Sequence, residues 1–304
     1  MSTDAAGSTD FAGLAVVVVN FGSHQHLSQN LGRMTEDLPG ALFVVVDNWH
    51  SQTERESVTA LAQEQGWTLV PLDTNTGFGT GCNHGARAAL DNGATHLLFI
   101  NPDAVIDAAS VRLLLDVSLN DRMALVAPRI VKADGSLWSA GMDIDVARGD
   151  SRGWHRRPEF PYAETIPWFT GACLLLSKEL WEAAGGFDDD YFLYWEDVDF
   201  SVRVRNAGGT LHLVDEAVAQ HDVGGTQSSQ GQATKSELYY YFNIRNRSIF
   251  ARKHLDVHDR RHWKAGARAS AWAIILRGGR RQFLRPVAPL RALWRGLRDS
   301  NYGV

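Results

Sequence analysis

Residues 73–90, DTNTGFGTGCNHGARAAL, set glycines at 77, 79 and 81 ahead of a helix-like run. This stretch decides which α/β fold the chain adopts, because a glycine-rich turn leading into a helix also opens a dinucleotide-binding unit. The dinucleotide fingerprint GxGxxG needs its third small residue five positions after its first. Counted from Gly77 that position is Cys82, and from Gly79 it is His84, so the register fails. The segment also follows the third predicted strand rather than the first. Glycines so placed otherwise permit a tight turn and a close approach of helix to sheet.

Outward from this stretch, strands and helices alternate. Leu14–Asn20 (LAVVVVN) and Leu42–Asp47 (LFVVVD) are β-branched apolar runs with polar ends, the pattern of buried parallel strands. Between them, residues 26–38 carry Leu27, Leu31, Met34 and Leu38 at helical spacing. A third strand is predicted over 68–72, a helix over 86–92, and a fourth strand over His96–Ile100, followed at once by Asn101, Pro102 and Asp103. Such alternation implies a doubly wound α/β domain whose ligands bind beyond the carboxyl ends of the strands. Asn20, Asp47, Asn75 and Asp103 are therefore expected to converge on one crevice.

Further on, residues 110–119 read as a helix, 124–128 as a strand, and Asp134-Gly135 as the turn of a hairpin. Residues 143–167, rich in Arg, Pro, Gly and Asp, read as a long surface loop. Residues 168–177 read as a buried strand, and Lys178–Ala184 and Glu196–Asn206 as helices ended by glycine pairs.

Composition narrows the class. The chain has 304 residues, 44% of them hydrophobic, which suffices for a sizeable core. Cys82 and Cys173 form no CxxC pair, which fits a reducing compartment or simple burial and argues against cysteine metal ligation. Residues 1–13 lack the basic and apolar regions of a signal peptide and read as a short disordered lead, so a cytoplasmic protein is expected. The net charge of -5 conceals an asymmetry: from Arg245 onward there are 15 Lys and Arg against 3 Asp and Glu, and before it 15 against 32. No helix-turn-helix, zinc-finger or RNA-binding signature accompanies the basic end, so nucleic acid is not the expected partner.

Residues 187–209, FDDDYFLYWEDVDFSVRVRNAGG, add acidic residues at a helix start, where they suit the macrodipole or serve chemistry. Taken with VVVVNF, VVVDN, NTGFGTGCNHGA, LLFINPDA, WFTGACLLLS, HDVGGT and YYYFNIRNRSIFARKH in that framework, the segment resembles the glycosyltransferase family 2 enzymes, in their rhamnosyltransferase-like branch. The matching pieces run from about residue 15 to residue 254. The resemblance implies a GT-A fold: a Rossmann-like, mostly parallel sheet with helices on both faces, followed by a C-terminal helical extension. It divides the chain into a catalytic domain, 14–254, with a nucleotide-sugar half (14–128) and an acceptor half (129–254), and a basic amphipathic tail, 255–304.

The same resemblance implies an inverting transfer from a nucleotide sugar, assisted by Mg²⁺ or Mn²⁺. Asn20, Asp47, Asn75, Gly77, Phe78, Gly79, Asn83, Asn101 and Asp103 fall in its donor-binding segments. Asp103 holds the family's metal-carboxylate position, and His221 is its implied partner on the cation. Asp197 falls at the catalytic base, which must accept the acceptor hydroxyl's proton. Glu196 supports it, and Asp199 is expected to pair with Arg203 one turn on. Trp168, Phe169, Thr170 and Gly171 correspond to the acceptor wall, and Arg245 and Arg247 could meet an acceptor diphosphate. The implied donor is dTDP-L-rhamnose, with UDP-sugars of galactofuranose, glucose or N-acetylglucosamine as alternatives. The implied acceptor is a polyprenyl-diphosphate-linked saccharide of the cell envelope. A non-catalytic nucleotide-sugar-binding relative is the rival, against which Asp103, Glu196 and Asp197 argue. The basic tail, with tryptophans among arginines, suits the cytoplasmic face of a membrane.

Overall fold

The computed structural model describes residues 10–222, 235–284 and 286–304, without the side chains of Arg280 and Arg281. β1 (Leu14–Asn20), β2 (Leu42–Asp47), β3 (Thr68–Pro71) and β4 (His96–Ile100) form its parallel part, in the order β3-β2-β1-β4. The short helices α1 (His24–His26) and α2 (Gly32–Asp37), joined by a π turn at Leu27–Leu31, connect β1 to β2. α3 (Gln52–Gln65) and α4 (Phe78–Asp91) make the next two crossovers. Each β1 residue is buried, and alternate ones serve opposite faces. Val16 and Val18 meet Leu27, Leu31 and Val58, while Val17 and Val19 meet Cys82, Ala86 and Ala89 of α4. Two apolar faces covered by helices explain the unbroken valine runs.

Beyond β4 the sheet becomes mixed. β5 (Ala104–Ile106), α5 (Ala108–Asn120), β6 (Ala124–Val131) and β7 (Leu137–Ser139) follow, the last two forming the predicted hairpin. β11 (Cys173–Ser177) lies antiparallel between β4 and β6, and β12 (Thr210–His221) runs parallel to β6 and antiparallel to β5. α6 (Lys178–Ala184) and α7 (Glu196–Asn206) cover the α4 face through Leu180, Trp181, Phe200 and Val204. Ser177 caps α6, and Gly185 ends it in a left-handed conformation.

Residues 143–167 are not a loop. β8 (Met142–Asp145), β9 (Asp150–Gly153) and β10 (Thr165–Trp168) form a separate antiparallel sheet in the order β10-β8-β9, with a 3₁₀ turn at Trp154–Glu159. Its buried positions include Asp143 and Asp145, held by Arg157 at 2.8 Å and Arg152 at 2.7 Å. The strand predicted over 168–177 is correspondingly split, β10 ending at Trp168 and β11 beginning at Cys173.

The lead predicted over 1–13 falls mostly outside the described residues, but Phe11 is buried in the core under Arg112. α8 (Glu237–His254) packs on α7 and the small sheet through Val198 and Ile144, and the basic tail folds back on it as α9 (Val257–Ala265), α10 (Ala267–Leu276) and α11 (Val287–Arg298). Among the described residues no helix is long and apolar enough to cross a membrane.

Candidate active site

The carboxyl edge of the parallel strands gathers the polar residues that end them. Asn20 and Asp47 are register partners. Asp47 is buried, its Oδ2 accepting from Arg55 Nε at 2.6 Å while its Oδ1 has no partner. A buried acceptor left unpaired is suited to a ligand N–H or O–H. Asn20 is engaged within the protein: its Oδ1 accepts from the Ser23 N–H and hydroxyl, and its Nδ2 donates to Glu54 Oε1. Burial alone would raise the Glu54 carboxyl, but hydrogen bonds from Asn20 and His24 outweigh it and hold the group below its ordinary value. Asn48 fastens the glycine segment, donating to Asn75 Oδ1 at 3.1 Å and the Gly77 carbonyl at 2.9 Å. Neither Glu54 nor Asn48 lies at a position the motifs assign to the donor.

The glycine segment is the first turn of a helix that begins eight residues before the predicted start, with Gly77 as its N-cap at φ +87°. A Cβ on Gly77 would lie 2.1 Å from the Phe192 carbonyl oxygen, which accepts from the Phe78 N–H at 3.0 Å. A Cβ on Gly79 would lie 2.9 Å from Phe187 Cβ and 3.4 Å from Glu196 Cβ. These absences let α4 close against the turn that precedes α7. Asn83 completes the contact, its amide accepting from the Phe187 N–H and donating to the Phe187 carbonyl, both at 2.8 Å. Its side chain thus ties two elements of the protein together.

Asp103 meets His221 because β5 and β12 pair antiparallel with Ala104 opposite His221. His221 Nε2 lies 3.0 Å from Asp103 Oδ1 and 3.5 Å from Asn101 Nδ2, and both Asp103 and His221 are buried. His221 Nδ1 has no partner, and the ring stands edge-on to Trp138 at 4.7 Å between centroids. Among the described residues no three His, Cys, Asp or Glu side chains gather closely enough to hold a metal alone. A carboxylate beside an imidazole with one orphan nitrogen nevertheless fits Mg²⁺ or Mn²⁺, which take remaining positions from phosphate oxygens and water. Val223 to Thr226 of the HDVGGT motif lie outside the described residues.

Glu196 and Asp197 open α7 after two residues in the left-handed region, Tyr194 at φ +65° and Trp195 at φ +75°. Such conformations in non-glycine residues cost on the order of 1–3 kcal/mol each and persist where the surroundings impose them. Here Asn246, fully buried on α8, imposes them by donating to the carbonyls of Leu193 at 2.9 Å and Tyr194 at 2.8 Å. Arg245 donates in turn to Asn246 Oδ1 and the Asp190 carbonyl. Asp197 Oδ2 accepts the Gly171 N–H at 3.1 Å, and the next residue's carbonyl, Ala172, accepts the Asn101 N–H at 3.0 Å. One bridge, 171–172, therefore links Asp197 to the backbone of Asn101.

Burial raises the Asp197 carboxyl to about 6, against the lowering hydrogen bonds from Gly171 and Val198. Burial, and after it the charge of Asp197, raises Glu196 well above the carboxylate range, and its Oε2 has no partner. Two adjacent carboxyls cannot both ionise cheaply, and of the two it is Glu196, the more strongly raised, that is held further from ionisation. Asp199 is separate. It is buried, with Arg203 Nε at 2.7 Å as expected and with His254 Nε2 at 2.7 Å besides.

The residues assigned to the acceptor do not all come together. Trp168 Nε1 is buried without a partner, and Thr170 and Gly171 adjoin Asp197. Phe169 is core, packed on Trp154. Arg247 is only 3% exposed and donates to the Trp263 carbonyl, the Tyr302 hydroxyl and the Arg148 carbonyl. Its guanidinium binds the C-terminal segment to the fold and is turned away from solvent.

The profile of the family described as "Glycosyltransferase like family 2" matches residues 12–251. An N-acetylglucosaminyl-diphospho-decaprenol L-rhamnosyltransferase of Mycobacterium tuberculosis is 26% identical over 232 residues, covering 68% of this chain and 75% of its own. The dTDP-rhamnosyl transferase RfbF of Shigella flexneri is 23% identical over 213 residues, covering 69% and 70%. Among solved structures, the Pyrobaculum calidifontis mannosyltransferase PcManGT, in complex with GDP-Man and Mn²⁺, superposes with a TM-score of 0.58 at 15% identity over 95% of this chain and 88% of that one. GalNAc-T7 with UDP, GalNAc and Mn²⁺ gives 0.61 at 14% identity over 85% of this chain, which spans about half of that protein (51%).

Proposed function

The chain belongs to glycosyltransferase family 2 and has the GT-A fold of a glycosyltransferase, and from that premise we propose that it is an inverting, metal-dependent rhamnosyltransferase. The donor is dTDP-L-rhamnose and the acceptor a polyprenyl-diphosphate-linked saccharide of a cell-envelope polymer. The observation that supports the chemistry is the bridge of residues 171–172, which links Asp197 by hydrogen bonds to the backbone of Asn101, two residues before Asp103. The relatives' names support the donor and the lipid-linked acceptor.

In this reading Asp47 Oδ1 accepts a hydrogen bond from the nucleoside, and the glycine segment walls the donor. Asp103 and His221 hold the divalent cation, which when bound neutralises charge on the departing diphosphate. Asp197, ionised above about pH 6, takes the proton of the attacking hydroxyl. Glu196, kept neutral, donates a hydrogen bond to donor or acceptor without adding a repelling charge. Trp168 offers its indole face and N–H to the acceptor sugar. Exposed Trp272, Leu276, Leu284 and Trp294 among arginines support peripheral contact with the cytoplasmic face of a membrane.

A thermal-shift series with dTDP, UDP and GDP, each with Mn²⁺ or chelator, tests the donor, since a ligand of the native state raises apparent stability. Stabilisation by dTDP that needs the cation, and that Asp103→Ala removes, is the expected result. Stabilisation by UDP alone would replace rhamnose with a UDP-sugar, and an equal response with chelator would remove Asp103 and His221 from cation binding.

A further inference from the structure

A cavity of about 250 Å³ lies between the small sheet and the tail, and none of its lining residues is among those assigned to donor, acceptor, metal or base. It is lined by Arg148, Arg152, Arg156 and Arg277, with Ser151, Asp150, Phe160 and Ala273. Arg152 and Arg156 are fixed in place: their guanidinium carbons stand 3.9 and 5.4 Å from the centroid of the single Phe160 ring, and Asp145 and Glu159 pair with them. Arg148 and Arg277 are exposed, and among the described residues neither side chain has a carboxylate partner. The Ser151 hydroxyl is buried and has no hydrogen-bond partner. Two fixed guanidiniums already paired with carboxylates, two unpaired ones and an idle hydroxyl, set against the single carboxylate of Asp150, leave a donor-rich recess of net positive charge suited to phosphate oxygens.

The surroundings indicate what carries the phosphate. Ala273 and Arg277 are four residues apart on α10, and the adjoining stripe of the same helix holds Trp272 and Leu276, 42% and 52% exposed. Phe283 continues that apolar surface, its ring 6.0 Å from Trp272. An anionic recess-filler beside exposed aromatic and aliphatic side chains matches a headgroup joined to hydrocarbon. Pockets for drug-sized ligands run to roughly 300–1,000 Å³, so this cavity suits a single headgroup and not a nucleotide.

We propose that this recess binds the phosphate of a membrane lipid, either the headgroup of an anionic phospholipid or the diphosphate that anchors a polyprenyl-linked saccharide. It rests on the transferase reading only for the second of these sources. Arg148 and Arg277 close on the phosphate oxygens, Ser151 donates its hydroxyl, and Trp272 and Leu276 meet the acyl or prenyl chain.

Sedimentation with vesicles tests it. Phosphatidylcholine vesicles, plain or doped with phosphatidylglycerol or with a polyprenyl diphosphate, are mixed with the full chain and with an Arg148→Ala/Arg277→Ala variant. The wild type should prefer at least one doped vesicle over plain ones, and the variant should lose roughly thirtyfold of that preference. The dopant that shows the loss identifies the phosphate source. Ala273→Glu leaves every arginine in place and should produce the same loss by placing a carboxylate in the recess. Equal binding by wild type and double variant, no preference of the wild type for either dopant, or undiminished binding by Ala273→Glu would each overturn the proposal. The nucleotide thermal shift is read on the same samples: if it is present while the vesicle preference is absent, the recess fails and the transferase reading stands, and the reverse result separates them the other way.

Discussion

Asp197 and Glu196 are neighbours in sequence and differ in their surroundings. Asp197 keeps two backbone N–H donors that favour its ionised form, whereas Glu196 has an unpaired buried oxygen and is raised further, by burial and then by the charge of Asp197. The sign of the pH dependence follows. A base must be deprotonated, and the Asp197 carboxyl is raised to about 6, so transfer should be level above that value and decline below it by about tenfold per pH unit. A rate profile under saturating donor checks this, and a flat profile down to pH 4.5 would remove Asp197 as the base. Asp197→Asn should keep donor binding and lower turnover by about 10²–10⁴-fold. Loss of nucleotide binding with turnover retained would assign Asp197 to the donor instead.

At the scale of elements, the site depends on a turn that the sequence does not advertise. Tyr194 and Trp195 are aromatic residues in a conformation that favours glycine, and the Asn246 amide on α8 helps to hold them there. Asn246→Ala should relax the turn and lower kcat by at least tenfold with KM for donor little changed, and should move the acid limb of the pH profile as Asp197 leaves its buried position. Asn246→Asp, which keeps the shape but places a carboxylate oxygen against the carbonyls, should fare no better. An unchanged acid limb in both variants would reduce Asn246 to general support. Strands β1, β2 and β4 were legible because each is buried on both faces and reads as an apolar run. Strands β8 and β9 were not, because their buried residues include Asp143 and Asp145, whose arginine partners lie outside any periodic pattern. Helix α4 was read short for a related reason: Gly77, Gly79 and Gly81 look like a loop until Phe187, Phe192 and Val19 are seen pressing on them. The motifs assign roles to Asp103, His221 and Asp197; Asn48 and Asn246 lie inside quoted motifs and Glu54 outside them, and all three act by holding other residues, which no spacing signals.

For the whole molecule, the tail is part of the fold. Trp263 is 1% exposed, donates to the Val146 carbonyl at 2.6 Å, and lies under the Arg247 guanidinium at 4.1 Å. Trp263→Ala should therefore destabilise the chain by about 3–5 kcal/mol, measurable as a shifted urea midpoint. A loss below about 1 kcal/mol would mean that the tail is only loosely seated. The sequence legibly marked this region as basic and tryptophan-rich but could not say which tryptophans face inward: Trp263 does, while Trp272 and Trp294 remain outside. On α11 the division is by side, with Ala292 and Gly296 against α8 and Leu290 and Trp294 outward.

The contact at Gly296 has a mechanical meaning. A Cβ there would stand 2.9 Å from Ile244 Cβ, so α11 rests on α8 almost backbone to backbone, with no compliant side chain between them. Two residues farther along α8 sits Asn246, gripping the turn ahead of Glu196 and Asp197. An 18-residue helix is a rod roughly 27 Å long, stiff over that span. The seating of α11 is thus fixed against the same helix whose Asn246 holds the turn ahead of Glu196 and Asp197.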